Sequence, residues 1–184
     1  MVSIAVFVLV LIIALIAIVI YNKLVRLRNT VRSSWSDIDV QLKKRFNLVP
    51  SLVETVKAYA KHEKSVFEKV TEARSMAMQS VGPNDAAKSE NMLRATLKSL
   101  FAVAEAYPDL KANGNFIQLQ GQFQELEESI ESARRYYNAV VRDYNTSTET
   151  FPSVIVASTF GFKPAEFFEI ESPEERKPIR PDFS

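Results

Sequence analysis

Residues 31–77 read VRSSWSDIDVQLKKRFNLVPSLVETVKAYAKHEKSVFEKVTEARSMA, and this stretch decides the fold. Val31, Trp35, Ile38, Leu42, Val49, Leu52, Val56, Tyr59, Val66, Val70, Ala73 and Ala77 recur in alternating steps of four and three. Arg45 and Glu63 are the two charged members of the series. A stripe of that period is one face of a long helix packed on others. Pro50 lies inside it and removes an amide donor, which predicts a kink or short break near Val49. The stripe keeps its phase across Pro50, which favours a kink. Val81-Gly82-Pro83 predicts the stop.

Working towards the C-terminus, Asn84 and Asp85 can cap a second helix with the stripe Leu93, Leu97, Leu100, Ala104 and Tyr107. Pro108 stops it, and residues 107–115 form a turn. A third helix opens near Asn115 with Phe116, Leu119, Phe123, Leu126, Ile130, Ala133, Tyr137, Val140 and Tyr144 on one face. It runs to about Thr150, where Phe151-Pro152 breaks it. Ser153 can cap a short fourth helix, Val154–Phe160, closed by Gly161. Residues 171–184, with Pro173, Pro178 and Pro181, predict an extended tail. No run alternates as a strand does. The expected class is all-α, an antiparallel bundle of three long helices and a short fourth over residues 35–170. The loops are short, so neighbours within one chain are expected to bury the stripes. A coiled-coil homo-oligomer is the competing solution.

Working towards the N-terminus, the composition changes abruptly. All charged side chains of this 184-residue chain lie after position 21. Val2–Tyr21 contains Ser3 among Val, Ile, Leu, Ala and Phe. About 20 apolar residues at 1.5 Å each span the roughly 30 Å of bilayer hydrocarbon. No basic residue precedes the run and no small-residue cleavage site follows it, so an uncleaved anchor over residues 1–21 is expected. Residues 22–34 carry Lys23, Arg26, Arg28 and Arg32 and no acid. Retention of positive charge inside predicts a single-pass cell-membrane protein with its N-terminus outside and its body cytoplasmic. The same four cations can rest on anionic headgroups. Trp35 lies 14 residues beyond Tyr21, about 21 Å along a helix, and is expected in the core against the third helix.

Composition also excludes chemistry. The chain has no Cys, one His and four Gly. Disulfides, thiol nucleophiles, cysteine-ligated metals and a phosphate-cradling glycine loop are therefore not expected. With 23 basic and 22 acidic residues, nucleic acid is not an expected partner. His62-Glu63 begins like a zinc-protease helix, but position 66 is Val where a second His is needed. Asp37 and Asp39 are two apart and do not face each other; each is expected to pair with Arg134 or Arg135 on another helix. Arg45 and Glu63, as charges on a stripe, must be paired or at a bundle edge. Glu125, Glu127, Glu128 and Glu131, with Arg134 and Arg135, read as a solvated face. Tyr107-Pro108-Asp109-Leu110-Lys111 reads as a stop and a capped turn.

Several runs resemble the LemA family: Tyr21-Asn22-Lys23-Leu24-Val25, Leu27-Arg28-Asn29, residues 35–45, Leu48-Val49-Pro50, residues 56–63, Ala73-Arg74, residues 105–113, residues 133–138, Tyr144-Asn145 and Phe151-Pro152. They follow in order over nearly the whole chain. Phe46-Asn47 departs from the family's aromatic followed by Asp. The resemblance implies a bacterial membrane protein with one N-terminal helix, a short outside N-terminus, a helical-bundle body and no established catalytic residues. Relatives often occur beside membrane proteases or small membrane proteins, which is association only. The residues and the resemblance together predict a non-enzymatic interaction or scaffold protein with no catalytic, cofactor or metal site. Its partner would be a membrane protein. The rival readings are an adaptor or regulator of a membrane enzyme, and a ligand-binding bundle using Asp37, Arg45, Glu63 or Arg134.

Overall fold

A computed structural model of the chain describes residues 2–169; the expected extended tail lies outside them. The described residues form helices and no strand: α1 Val2–Tyr59, α2 Lys64–Gln79, α3 Pro83–Glu105, α4 Pro108–Lys111, α5 Gly114–Glu149 and α6 Ser153–Thr159. The fold is all-α, a long apolar N-terminal helix followed by a helical bundle. The described chain divides into two compact units. One is built from residues 2–38 and 132–167, the other from residues 39–131 with 168 and 169.

In the second unit the structure corrects the expected course of the first long helix. Pro50 does not end it, and α1 continues to Tyr59. The chain instead turns at residues 60–63, and Glu63, expected on a continuous stripe, becomes the N-cap of α2. The reason is a hydrogen bond. Pro50 cannot donate to the carbonyl four residues back, which is Phe46. Arg74 Nε, 28 residues on, donates to that same carbonyl at 2.7 Å. In one unbroken helix the two residues would lie about 42 Å apart. The turn at 60–63 folds α2 back and supplies the missing donor. Gly82, at φ +81, makes the next reversal, with Pro83 in the first turn of α3 and the Asp85 carboxylate accepting from the Val81 amide at 3.1 Å. The Asn113 side-chain oxygen accepts from the Phe116 amide at 3.1 Å and caps α5. Leu42, Val49, Leu52, Val56, Leu93, Leu97, Leu100, Phe116, Phe123 and Ile130 are buried, as their stripes require.

In the first unit, Trp35 packs against Tyr137 of α5 with ring centroids 5.6 Å apart, as expected, although it is half-buried rather than enclosed. Gly161, at φ +69, closes α6, and the Phe162 amide bonds back to the Ala157 carbonyl at 2.9 Å. The chain then returns along α5 without a helix of its own. Tyr144 Oη donates to the Lys163 carbonyl at 2.9 Å and Tyr137 Oη to the Glu166 carbonyl at 2.7 Å. Asn145 holds Ala165 by both backbone groups, at 2.9 and 2.8 Å. Tyr21 contacts the rings of Phe160 and Phe162, with centroids at 4.9 and 5.6 Å. Lys23, Arg26 and Arg32 are exposed, whereas Arg28 lies over the Phe162 ring at 4.9 Å and is partly withdrawn from solvent.

Candidate functional site

Arg45 is 2% exposed and Glu90 1% exposed, which makes them the charged floor of the second unit. The Arg45 guanidinium forms ion pairs with Glu90 of α3 and, at 2.8 Å, with Glu127 of α5. Glu127 in turn forms an ion pair with Arg94, whose Nε lies 3.1 Å from its carboxylate. Two cations and two carboxylates thus join α1, α3 and α5 and cancel in charge. Burial pushes the Arg45 pKa down; the Glu127 charge and hydrogen bond oppose that shift, and Arg94 adds to it. The guanidinium remains charged, because arginine starts so high.

An open groove of about 550 Å³ lies over this cluster. Arg45, Arg94 and Glu127 stand at its polar part. Phe101 and Phe123, 6.0 Å apart and edge to face, form its apolar wall, with Lys98, Glu105, Gln120 and Gln124 also lining it. Such a surface suits binding of a mixed-polarity group. Within the cluster, each carboxylate reaches Arg45 from a different helix.

The residues singled out from sequence fare differently. Arg45 is buried and paired, as a stripe charge must be. Glu127 is corrected from a solvated face to a partner of two arginines. Asp39, expected to pair with an arginine of another helix, pairs with Lys43 of its own helix at 2.6 Å, because the four-residue spacing sets the two side by side. Asp37 is exposed. Arg134 and Arg135 line a separate cavity of about 360 Å³ in the first unit, with Asn138 and Arg142. His62 is exposed in the 60–63 turn, and no group of three or more metal-ligating side chains occurs among the described residues. Tyr107 is the N-cap of α4, Pro108 opens it, and Leu110 is buried beneath. Sequence reading missed Glu90 and Arg94. Extending the Leu93 stripe backwards by three and four reaches Glu90 and Ala86, both buried, so a signal was present.

Residues 34–183 match the LemA family. The chain belongs to the LemA family. Among curated relatives of this LemA-family chain, Magnetosome protein MamQ 2 of Paramagnetospirillum magneticum is 25% identical over 86% of the chain and 68% of its own length. Magnetosome protein MamQ of Magnetospirillum gryphiswaldense is likewise 25% identical, with the same coverage. Protein LemA of Metamycoplasma hominis is 26% identical over 74% of the chain and 63% of its own length. The match begins at residue 34 and contains Arg45, Glu90 and Glu127, so the buried charge cluster lies within the family segment.

Proposed function

We propose that this LemA-family chain is a single-pass, membrane-anchored interaction protein without catalytic activity. Residues 1–21 are the anchor, 22–34 a basic juxtamembrane segment and 35–170 the helical body. One observation carries the reading. An uncharged apolar window long enough to cross a bilayer, none of it buried, is continuous with the helix on which the body is built. Leaving so much apolar surface in water is strongly unfavourable, and a bilayer removes it. The basic flank supports a cytoplasmic body at the cell membrane and headgroup contact through Lys23, Arg26 and Arg32, with Arg28 partly committed to Phe162.

The open groove beside Arg94, Phe101 and Phe123 favours a second reading, in which the body is an adaptor that receives a segment of a membrane-protein partner there. Membrane residence is tested by alkaline carbonate extraction, which should leave the chain in the pellet. Orientation is tested with Ser184→Cys in intact cells. A membrane-impermeant thiol reagent should label it only after lysis, and equal labelling before lysis would overturn the cytoplasmic assignment. N-terminal sequencing of the membrane form should begin upstream of Tyr21. Crosslinking in intact membranes from a photo-reactive residue at Lys98 should capture a membrane protein if the adaptor reading holds, and no discrete product if it does not.

A further inference from the structure

We propose that α6 and its flanks form a second membrane-contacting element, embedded in the interfacial layer of the leaflet from which α1 emerges. The inference rests on the anchor reading above. Phe151, Ile155 and Phe160 are 81%, 56% and 61% exposed, three large apolar side chains within ten residues. No charged residue occurs from Thr150 to Phe162. The hydroxyls among them are already bonded. Ser158 and Thr159 donate to the Ile155 carbonyl at 3.0 and 2.7 Å, and Ser153 donates to the Thr150 carbonyl at 2.9 Å. A segment so arranged loses little on leaving water.

Its position selects the occupant. Phe160 lies with its ring centroid 4.9 Å from that of Tyr21, the last residue of the apolar run. The exposure of α1 already falls at Ala17 and Ile20, on the face that continues to the buried Leu24. A bilayer that holds Tyr21 at its interface therefore also reaches Phe160. Exposed cations border the apolar surface on both elements: Lys23 and Arg26 on α1, and Lys163 just after Phe162. This order, apolar side chains inward and cations outward, is that of an interfacial element on anionic lipid.

The chain has no native cysteine, so single-cysteine nitroxide labels can be placed directly. The full chain is reconstituted in nanodiscs of phosphatidylcholine and phosphatidylglycerol in equal parts. Labels at Phe160→Cys and Ile155→Cys are compared with Leu11→Cys within the anchor and Ile117→Cys on the exposed body. Power saturation reads collision with oxygen, which concentrates in lipid, and with a water-soluble nickel chelate. Positions 160 and 155 should follow position 11, favouring oxygen several-fold over position 117. Position 155 remains informative if loss of the Phe160 ring disturbs its contact with Tyr21. Nickel access at 160 and 155 equal to that at 117, with position 11 in lipid, overturns the inference and leaves the anchor standing. Shielding from both reagents overturns it in favour of a covering protein. Nickel access at position 11 removes the anchor reading itself, and this inference with it.

Discussion

Each of the two units holds its own elements together by a different chemistry. In the unit of residues 39–131, apolar stripes meet around a buried charge cluster, and Arg45 ties α3 and α5 to α1 through Glu90 and Glu127. In the unit of residues 2–38 and 132–167, a segment without regular structure is fastened to α5 by side-chain hydrogen bonds to its backbone, from Tyr137, Tyr144 and Asn145. The first device sets helix register, because a buried charge tolerates only the geometry that pairs it. The second satisfies backbone groups that no helix or sheet serves. The contrast predicts an order of sensitivity: loss of one member of the charge cluster should exceed loss of any single tether.

The largest effect is expected for Glu90→Ala, which leaves the Arg45 guanidinium buried without its most enclosed partner. Destabilisation of about 3–5 kcal/mol should follow, measured by chemical denaturation of the full chain in detergent micelles. Combining Arg45→Met with Glu90→Leu should recover most of the loss. A single-variant effect below about 1 kcal/mol would break the comparison. Trp35→Ala comes next at about 3 kcal/mol, the low end for aromatic truncation, since the indole is half-buried against Tyr137. Hydrogen exchange should then quicken chiefly in residues 132–149, whereas Glu90→Ala should quicken it in α3.

Among the tethers, Asn145→Ala removes both bonds to Ala165 and should cost about 2 kcal/mol. Tyr137→Phe removes one bond and should cost about 1 kcal/mol. It also carries a pH signature. Burial, with the Glu166 charge assisting, raises the Tyr137 pKa from 10.0 to about 12. The folded state thus holds this proton more tightly than the unfolded chain does. Its contribution is complete below pH 10 and is lost as pH rises through 12. Alkaline titration monitored by circular dichroism should show a shallower decline in Tyr137→Phe than in the parent. Tyr144 is also shifted upward by burial, against the opposing pull of Arg28 and Arg32, so part of the decline should persist. The smallest effect is expected for Asp39→Asn. Its pair with Lys43 is solvent-exposed within one helix, and the change should stay under about 0.5 kcal/mol.

Sequence alone determined the helical faces and most of the helix ends, but not the break at residues 60–63 that separates α1 from α2. A three–four stripe reports which face is buried whatever packs against it, and Gly82-Pro83, Pro108 and Phe151-Pro152 act through local backbone sterics. The uncharged run to Tyr21 was legible for the same reason, since its meaning depends on length and composition. The charge at Arg45 was legible as a demand for a partner, but the partner was not: which carboxylate answers depends on how far α3 and α5 slide along α1. Only the tertiary structure decided that Glu90 and Glu127 meet it. It also decided that the chain passes Pro50 and reverses at residues 60–63, because the donor for the Phe46 carbonyl comes from Arg74 and exists only once α2 has folded back. The binding of residues 163–166 to α5 left no periodic mark, since a tyrosine hydroxyl reaching a backbone carbonyl asks nothing of the residue that bears it.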